Sequence, residues 1–415
     1  MRIGIVAVGS ELLTPFYQDT DSFFLTRRLN ELGLEVDFKI IVGDEPKNLR
    51  LVLKEAIKKA DLLFITGGLG PTEDDRTREV LSEVLGRKLV FQPEILAAIE
   101  ERFRQRGMEM PVANRRQAYL LEGAQLLANR VGTAAGQWVE INEKRVVVLP
   151  GPPRELQVMF EESVWPRLQP FRRGGIYRRV LKISGLTESQ VEDRIADLYP
   201  RQKDISITLL AYPGQIEIHL SSSAETELQA RHRLEPLITR LEERLGINIF
   251  SREGEELEEV VGSLLRSRQL TLALAESCTG GLLGHRITSV PGSSAYFLEA
   301  AVVYSNSAKI RSLGVSEAVI SQHGAVSAEV AREMAARIRR HSGADLGLSI
   351  TGIAGPAGGS VEKPVGLVFI GLASVSEVQV SRNQFLGSRE QIKFQASQKA
   401  LDLLRRYLLG QSQFG

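Results

Sequence analysis

Residues 62–75 read Leu-Leu-Phe-Ile-Thr-Gly-Gly-Leu-Gly-Pro-Thr-Glu-Asp-Asp, an apolar run that passes into a glycine-rich acidic turn. Residues 76–85 then have the spacing of an amphipathic helix, so this stretch predicts a strand, a tight turn and a helix. The same alternation extends on both sides, with strands predicted at 3–7, 34–42 and 145–149 and helices at 20–32, 47–60 and 93–106. It is typical of a parallel α/β domain, which we expect to cover residues 1–168.

The rest of the chain predicts two further parts. Residues 169–250 contain a strand, a helix, two alternating strands joined at Pro213-Gly214 and a long helix, a pattern typical of a small α+β module. The polar segment 251–256 is the predicted linker. Strands and helices alternate again over 257–415. The predicted fold class is therefore α/β, with two separate three-layer α/β domains joined by a small α+β module.

Composition excludes several functional classes. The 415 residues include 52 Lys and Arg against 51 Asp and Glu, so no basic excess is available to neutralise a nucleic-acid backbone, and direct nucleic-acid binding is not expected. No apolar run is long enough for a membrane span, and the first strand lacks the pattern of a secretory signal, so a cytoplasmic protein is expected. The single cysteine, Cys278, excludes an internal disulfide, and the five histidines have no metal-ligand spacing.

The turn at residues 66–75 suits a phosphorylated ligand. Its glycines allow close backbone approach, and the start of the following helix offers free N–H groups to a phosphate. Asp74 and Asp75 suit a hard divalent cation that bridges phosphate oxygens. The alternative is a tight turn whose acidic residues only complement the helix dipole. Neither the phosphate-binding loop that ends in Gly-Lys-Ser/Thr nor the dinucleotide fingerprint is present.

A second candidate site lies in the last domain. Ser277 follows a buried strand and precedes a helix, so its hydroxyl is expected beside free helix N–H groups at the carboxyl edge of the sheet. Lys309 follows the next strand and would be a general base if partly desolvated. Ser277 or Thr279 would otherwise be a helix N-cap, and Lys309 a surface lysine. The turn at 351–356 repeats the arrangement, and three such turns at one sheet edge form a pocket.

Five segments of the first domain form a recognisable set: Gly9-Ser10-Glu11-Leu12, Asp19-Thr20-Asp21-Ser22, Val42-Gly43-Asp44, residues 67–75 and Gly151-Pro152-Pro153-Arg154-Glu155. Together they resemble the molybdopterin-binding-type domain of the CinA (competence/damage-inducible protein A) family. The resemblance implies a metal-dependent ADP-ribose pyrophosphatase that yields AMP and ribose 5-phosphate, its divalent cation unidentified. It places Glu11, Asp44, Asp74 and Asp75 at the metal, and Gly67, Gly68 and Gly70 against the ligand.

The last domain has a second set of segments, residues 276–281, 304–309, 323–327, 351–356 and 363–366. In this order they resemble the nicotinamide mononucleotide deamidase domain of the same family. The resemblance implies a homodimeric salvage enzyme that converts nicotinamide mononucleotide to nicotinic acid mononucleotide and ammonia, without a cofactor in this domain. Ser277 would be the nucleophile, Lys309 the base and Tyr304 a positioning group. The implied substrate-binding residues are Thr279, Gly280, Thr351, Gly352 and Arg389.

Two alternatives stay open. In one, the first domain is a non-catalytic pterin- or nucleotide-binding module. In the other, the chain is a competence or recombination accessory protein whose contacts matter more than catalysis. Release of ammonia from nicotinamide mononucleotide by the purified protein would distinguish the enzyme from both alternatives.

Overall fold

The computed structural model describes residues 1–200 and 204–411, and the chain groups into two units. The first unit comprises residues 1–177 with 223–231. The second comprises residues 178–222 and the chain from His232 onward. Most of the predicted α+β module therefore groups with the C-terminal domain.

The first unit is built on a mixed sheet whose two faces are both covered by helices. Its strands are β1 (Ile3–Val8), β2 (Phe38–Val42), β3 (Leu62–Thr66), β4 (Leu89–Phe91), β5 (Tyr119–Leu121), β6 (Gln125–Leu127), β7 (Gly136–Ile141) and β8 (Lys144–Leu149). Its helices are α1 (Thr20–Asn30), α2 (Pro46–Lys59), α3 (Thr77–Leu85), α4 (Pro93–Gln105), α5 (Pro153–Met159) and α6 (Trp165–Leu168). The main sheet has the order β2-β1-β3-β8-β7-β6, and β4 pairs separately with β5.

Alternate residues of β1 enter two different cores. Ile5 packs with Phe24 of α1 on one face, and Val6 packs with Leu53 of α2 on the other. Successive side chains of a strand point to opposite faces, so a strand that is buried throughout needs helices on both. This confirms the α/β class and the three layers.

The edge of this sheet differs from the predicted all-parallel arrangement. β7 and β8 are antiparallel, and so are β6 and β7. Only two residues, Asn142 and Glu143, connect β7 to β8, and Asn142 has a φ of 54°. A connection this short can join only antiparallel strands, and a positive φ at its first residue is typical of tight hairpins.

The middle module is a four-stranded sheet with two helices. Its elements are β9 (Gly175–Ile183), α7 (Glu188–Ile195), β10 (Ile205–Tyr212), β11 (Gln215–Ala224), α8 (Glu227–Leu245) and β12 (Ile249–Ser251). The sheet has the order β10-β11-β9-β12. The predicted hairpin at Pro213-Gly214 joins β10 to β11. The predicted linker is held by side chains, because Arg179 pairs with Glu253 and the buried Lys182 pairs with Glu256.

The C-terminal domain is a second three-layer structure. Its helices are α9 (Leu257–Arg268), α10 (Leu282–Thr288), α11 (Asn306–Leu313), α12 (Glu317–His323), α13 (Ala328–Ser342) and α14 (Arg389–Leu408). Its strands are β13 (Leu272–Glu276), β14 (Phe297–Val302), β15 (Leu346–Gly352), β16 (Leu367–Ala373) and β17 (Val378–Gln384). They form a sheet in the order β14-β13-β15-β16-β17. The first three are parallel, so their carboxyl ends share one edge.

Helix α14 connects this domain to the middle module. The carboxylate of the buried Asp402 accepts from the Ser184 hydroxyl at 2.7 Å, and Arg405 donates to the carbonyl of Ile247 at 2.7 Å. Asp402 also pairs with Arg405 and Arg406. A buried carboxylate is tolerated when it is paired and hydrogen-bonded in this way.

Within residues 1–200 and 204–411, no helix has the length and apolarity needed to cross a membrane.

Candidate active sites

Ser277 is fixed at the carboxyl edge of the C-terminal sheet. All five residues of β13 are buried, and Ser277 is the first residue after the strand. Its N–H donates to the carbonyl of Ile350 in the neighbouring β15 at 3.0 Å. This bond continues the pairing of β13 with β15 by one residue. The side chain is 7% exposed. The hydroxyl therefore lies at a fixed position beside the ends of two parallel strands.

Lys309 approaches Ser277 from the next crossover. It lies in the first turn of α11, whose N-cap Ser305 accepts from the N–H of Ala308. Its Nζ is 2.9 Å from Ser277 Oγ and donates to the carbonyls of Val303 at 3.0 Å and Tyr304 at 3.3 Å. The sequence predicted this lysine at a strand end, whereas the structure places it in a helix.

The environment of Lys309 favours the neutral amine. The side chain is 1% exposed, and within residues 1–200 and 204–411 it forms no ion pair with a carboxylate. Burial lowers the pKa of Lys309 below its ordinary value, because a charged ammonium is disfavoured away from water. A neutral amine beside a serine hydroxyl can accept its proton.

Tyr304 and Arg389 continue from this pair toward solvent. The hydroxyl of Tyr304 accepts from Arg389 Nη2 at 2.8 Å, and Arg389 Nη1 donates to the carbonyl of Gly355 at 2.6 Å. Tyr304 is an exposed side chain. Arg389 begins α14, whose N-cap Ser388 forms a capping box with Gln391. The structure thus connects three turns of the sheet edge, at Ser277, Tyr304 and Gly355, through Lys309 and Arg389.

The other predicted substrate-binding residues have differing surroundings. Thr279 is fully buried, and its Oγ1 has no hydrogen-bond partner within the described residues. The Thr351 hydroxyl donates to the carbonyl of Ala325 at 2.8 Å. Gly280 has a φ of +64°, and a Cβ there would lie 3.9 Å from Lys393 Nζ. A Cβ at Gly352 would lie 2.6 Å from the Val368 side chain, so β-sheet packing alone accounts for this glycine.

The start of α10 is occupied by a protein carboxylate. Glu276 is fully buried and accepts from the N–H groups of Gly281, Leu283 and Gly284 at 3.0, 3.1 and 2.7 Å. The expectation that these helix N–H groups are free for a phosphate or oxyanion is therefore wrong. The N–H groups of Cys278 and Thr279 donate to no backbone carbonyl of the described chain. They are the amides next to Ser277, and both lie close to the Cys278 thiol.

Cys278 is not activated as a nucleophile. Its side chain is 6% exposed, and burial raises the pKa of the thiol to about 12. A thiol with that pKa is protonated near neutral pH, and the thiolate is the reactive form.

The first unit contains a separate cavity of about 500 Å³ that all seven residues predicted there line. They are Glu11, Asp44, Asp74, Asp75, Gly67, Gly68 and Gly70. A Cβ at Gly67 would lie 2.1 Å from the carbonyl of Val8, and one at Gly68 would lie 2.1 Å from Thr77 Oγ1. Gln117 and Glu155 line the same cavity. The sequence of residues 114–117 resembles a family segment that could reach phosphates or form a solvated surface, whereas sequence reasoning assigned no individual role to Glu155.

The carboxylates of this cavity do not form a closed metal site. Within the described part of the chain, no three His, Cys, Asp or Glu side chains are grouped closely enough to hold a metal ion. Asp44 accepts from the N–H of Ser10 at 2.7 Å, and Asp75 accepts from the N–H of Thr72 at 2.9 Å. Mg²⁺ typically takes one or two carboxylates and completes its shell with water and phosphate oxygens. The residues fit a cation of that kind, bound together with a phosphorylated ligand.

Comparisons with known proteins cover nearly the whole chain. Three family models match. The probable molybdopterin binding domain matches residues 4–170, and the damage-inducible protein CinA KH domain matches residues 178–251. The CinA C-terminal domain matches residues 254–408. A CinA-like protein of Koribacter versatilis is 45% identical over 410 residues, covering 98% of this chain and 99% of that protein. A putative competence-damage inducible protein of Caldicellulosiruptor bescii is 44% identical, with 98% of each chain covered. A solved CinA superfamily protein from Klebsiella pneumoniae is 32% identical, with a TM-score of 0.36, and covers 37% of this chain and 96% of that chain.

The KH assignment of the middle module was not predicted, since its sequence indicated a small α+β fold in which only residues 185–192 resemble the family. KH domains hold nucleic acid on a Gly-x-x-Gly loop. The glycines of residues 178–251 are Gly185, Gly214 and Gly246, and none has that spacing. The module therefore lacks the loop through which KH domains clamp a nucleic-acid backbone.

Proposed function

The chain belongs to the CinA family, and we propose that its C-terminal domain hydrolyses nicotinamide mononucleotide to nicotinic acid mononucleotide and ammonia. The observation that supports this proposal is the buried pair of Ser277 and Lys309, whose Oγ and Nζ atoms are 2.9 Å apart. A serine hydroxyl needs a base to attack an amide, which is a poor electrophile. The neutral form of Lys309 that burial favours is such a base.

In the proposed reaction, Ser277 Oγ attacks the carboxamide carbon while its proton passes to Lys309 Nζ. The tetrahedral oxyanion would accept hydrogen bonds from the N–H groups of Cys278 and Thr279, which donate to no backbone carbonyl within the described residues. Collapse breaks the carbon–nitrogen bond, and Lys309 returns the proton to the departing ammonia. Water then attacks the acyl-serine with Lys309 again as base, which releases the carboxylic acid and restores Ser277.

The proposed position of the substrate follows from the exposure of the site residues. The reacting carboxamide would lie at the buried end, next to Ser277. Arg389 lies toward the exposed end, where a guanidinium suits the phosphate of the mononucleotide. Tyr304 would hold Arg389 in place through the 2.8 Å contact between its hydroxyl and the guanidinium.

For the N-terminal domain we propose a second activity, the metal-dependent cleavage of ADP-ribose to AMP and ribose 5-phosphate. This proposal is supported by the cavity that combines the Gly67–Gly70 backbone with five carboxylates. When bound, a divalent cation would offset the negative charge of the diphosphate oxygens. Asp74 and Asp75 lie at the end of the glycine turn, where they would hold that cation against the ligand.

Two assays on the purified full chain test the proposals. Incubation with nicotinamide mononucleotide should release ammonia and nicotinic acid mononucleotide in equal amounts, and Ser277→Ala should abolish both. Incubation with ADP-ribose and Mg²⁺ or Mn²⁺ should release AMP, and EDTA should stop it. Ligand binding without any turnover would instead favour the binding-module or accessory-protein alternatives.

A further inference from the structure

The carbonyl groups of the glycine turn, residues 67–70, are all held by the protein. The carbonyl of Gly67 accepts from Thr77 Oγ1 at 2.9 Å, and that of Gly68 from the Thr77 N–H at 3.2 Å. The carbonyl of Leu69 accepts from Arg78 Nη1 at 2.7 Å and from Gln117 Nε2 at 3.2 Å. The carbonyl of Gly70 accepts from Arg78 Nη2 at 3.1 Å.

These bonds fix the direction of three amides. The carbonyl of one residue and the N–H of the next belong to one planar trans unit and point in opposite directions. The N–H groups of Gly68, Leu69 and Gly70 therefore point away from Thr77, Arg78 and Gln117. The fourth unit has no N–H, because residue 71 is proline.

The three N–H groups have no partner within residues 1–200 and 204–411. The residues that bear them line the cavity of the first unit. Successive N–H groups that converge on one side of a turn form an anion-binding concavity. The turn is thus arranged for an anion.

Arg78 is unusual because its charge is buried without a counter-ion. The side chain is 1% exposed, and its Nε has no hydrogen-bond partner within the described residues. No carboxylate lies within ion-pair distance of it in that part of the chain. The neighbouring Glu79 and Asp75 attract its charge from farther away, and they pair with Arg116 and bind Thr72. An arginine stays protonated at neutral pH, and a buried charge is costly unless an opposite charge offsets it.

We propose that Arg78 is a positioning residue for a phosphate-bearing ligand: its bond to the Leu69 carbonyl orients the N–H of Gly70, its bond to the Gly70 carbonyl holds the end of the turn before Pro71, and its charge is balanced by the ligand's phosphates on the opposite side. The inference rests on the proposed function of the first domain only for the class of ligand, a diphosphate ester. Arg78 itself touches the turn and not the ligand. Its effect therefore acts through the orientation of the amides and through the field at the cavity.

The test uses the full chain and inorganic pyrophosphate as the probe, titrated calorimetrically with Mg²⁺ present. Three variants separate charge from hydrogen bonding. Arg78→Lys keeps the positive charge with a single donor nitrogen. Arg78→Gln keeps a single donor nitrogen without the charge, and Arg78→Met removes both the charge and the donor. Arg50→Met, an exposed arginine of α2 paired with Glu83, is the matched control for loss of one positive charge. All variants are also monitored by thermal unfolding and by deamidase activity, which belongs to the other unit.

We expect affinity to fall in the order parent, Arg78→Lys, Arg78→Gln and Arg78→Met, with a loss of about 10- to 100-fold in the last and little change in Arg50→Met. If Arg78→Met does not fold, the difference in pyrophosphate affinity between Arg78→Lys and Arg78→Gln still tests whether the charge of Arg78 matters. Equal affinities in those two, or no pyrophosphate binding by the parent, would overturn the inference. If the pyrophosphate affinities follow the expected order but the parent does not cleave ADP-ribose, only the proposed pyrophosphatase activity is refuted. Cleavage of ADP-ribose with parental KM in Arg78→Gln would refute only the role of Arg78.

Discussion

Lys309 Nζ lies 2.9 Å from Ser277 Oγ, and both side chains are buried at the carboxyl edge of one parallel sheet. Two local features produce this contact. β13 ends at Glu276, and the N-cap Ser305 starts α11 so that Lys309 points back to the sheet. The pair combines a hydroxyl with an amine, and no carboxylate among the described residues pairs with Lys309. These are the groups that a serine nucleophile with a lysine base would need.

The first prediction concerns this pair as a unit. Ser277→Ala and Lys309→Ala should each lower kcat for deamidation, the latter by about 10²- to 10⁴-fold, the usual contribution of a general base. The double variant should be little worse than either, because residues that act on one step are strongly non-additive. Steady-state ammonia release measures all three. Ser289→Ala, at the end of α10, should stay near the parental rate, and additive losses in the double variant would show that the residues act independently.

The second prediction concerns the pH dependence of deamidation. Lys309 must be neutral to act as a base, so activity should rise with pH through its pKa. Burial lowers that pKa, and the midpoint should therefore lie below the ordinary lysine value of 10.5. The pH profile of kcat/KM checks this. Lys309→Arg, which keeps the charge but does not release its proton, should be inactive across the profile. A midpoint at or above 10.5 would contradict the proposed role.

The third prediction concerns the carboxylate beneath the serine turn. Glu276→Gln leaves one acceptor oxygen for three N–H groups, so at least one buried donor loses its bond. The free energy of unfolding should fall by about 1.5–3 kcal/mol, the range for hydrogen bonds to charged groups. Deamidase kcat should fall as the turn that holds Ser277 relaxes. Urea unfolding and ammonia release measure the two effects, and the exposed Glu317→Gln should change neither.

The fourth prediction concerns Asp21 in the first unit. Burial, assisted by the nearby Asp19, raises the pKa of this carboxyl to about 7, and its Oδ1 has no partner within the described residues. Between 3.8 and about 7 the folded protein holds a proton that the unfolded chain has lost, so stability falls as pH rises through this window. Asp21→Asn should remove this loss and stabilise the protein above pH 7. Urea unfolding at several pH values measures it, with the exposed Glu35→Gln as control.

The fifth prediction separates the two proposed activities. Asp75→Ala should abolish metal-dependent ADP-ribose cleavage and leave deamidation nearly unchanged, because Asp75 and Ser277 belong to different units. Parallel assays on one preparation measure both rates. Parental cleavage of ADP-ribose by Asp75→Ala would mean that this residue only holds the N–H of Thr72.

Local patterns in the sequence determined most of the architecture. Alternating apolar runs and amphipathic helices predicted both α/β layers, and Pro213-Gly214 predicted the hairpin between β10 and β11. The glycines of residues 67–70 and the residues Ser277 and Lys309 stood out because they follow predicted strands, and the carboxyl ends of parallel strands meet at one edge of a sheet. Such signals depend on neighbours in sequence, which is why periodicity and turn chemistry expose them.

Only the tertiary structure decided how distant groups use their hydrogen bonds and charges. It showed that Glu276 occupies the N–H groups expected to be free, that β7 and β6 turn the sheet edge antiparallel, and that Arg78 supports the glycine turn from behind. It also brought the amine of Lys309 to Ser277. Sequence spacing fixes which residues end a strand, but burial and side-chain direction depend on elements far away in the chain. Burial and side-chain direction decide whether a charge is paired, whether the pKa of a group shifts and whether an amide N–H keeps a free hydrogen-bonding position.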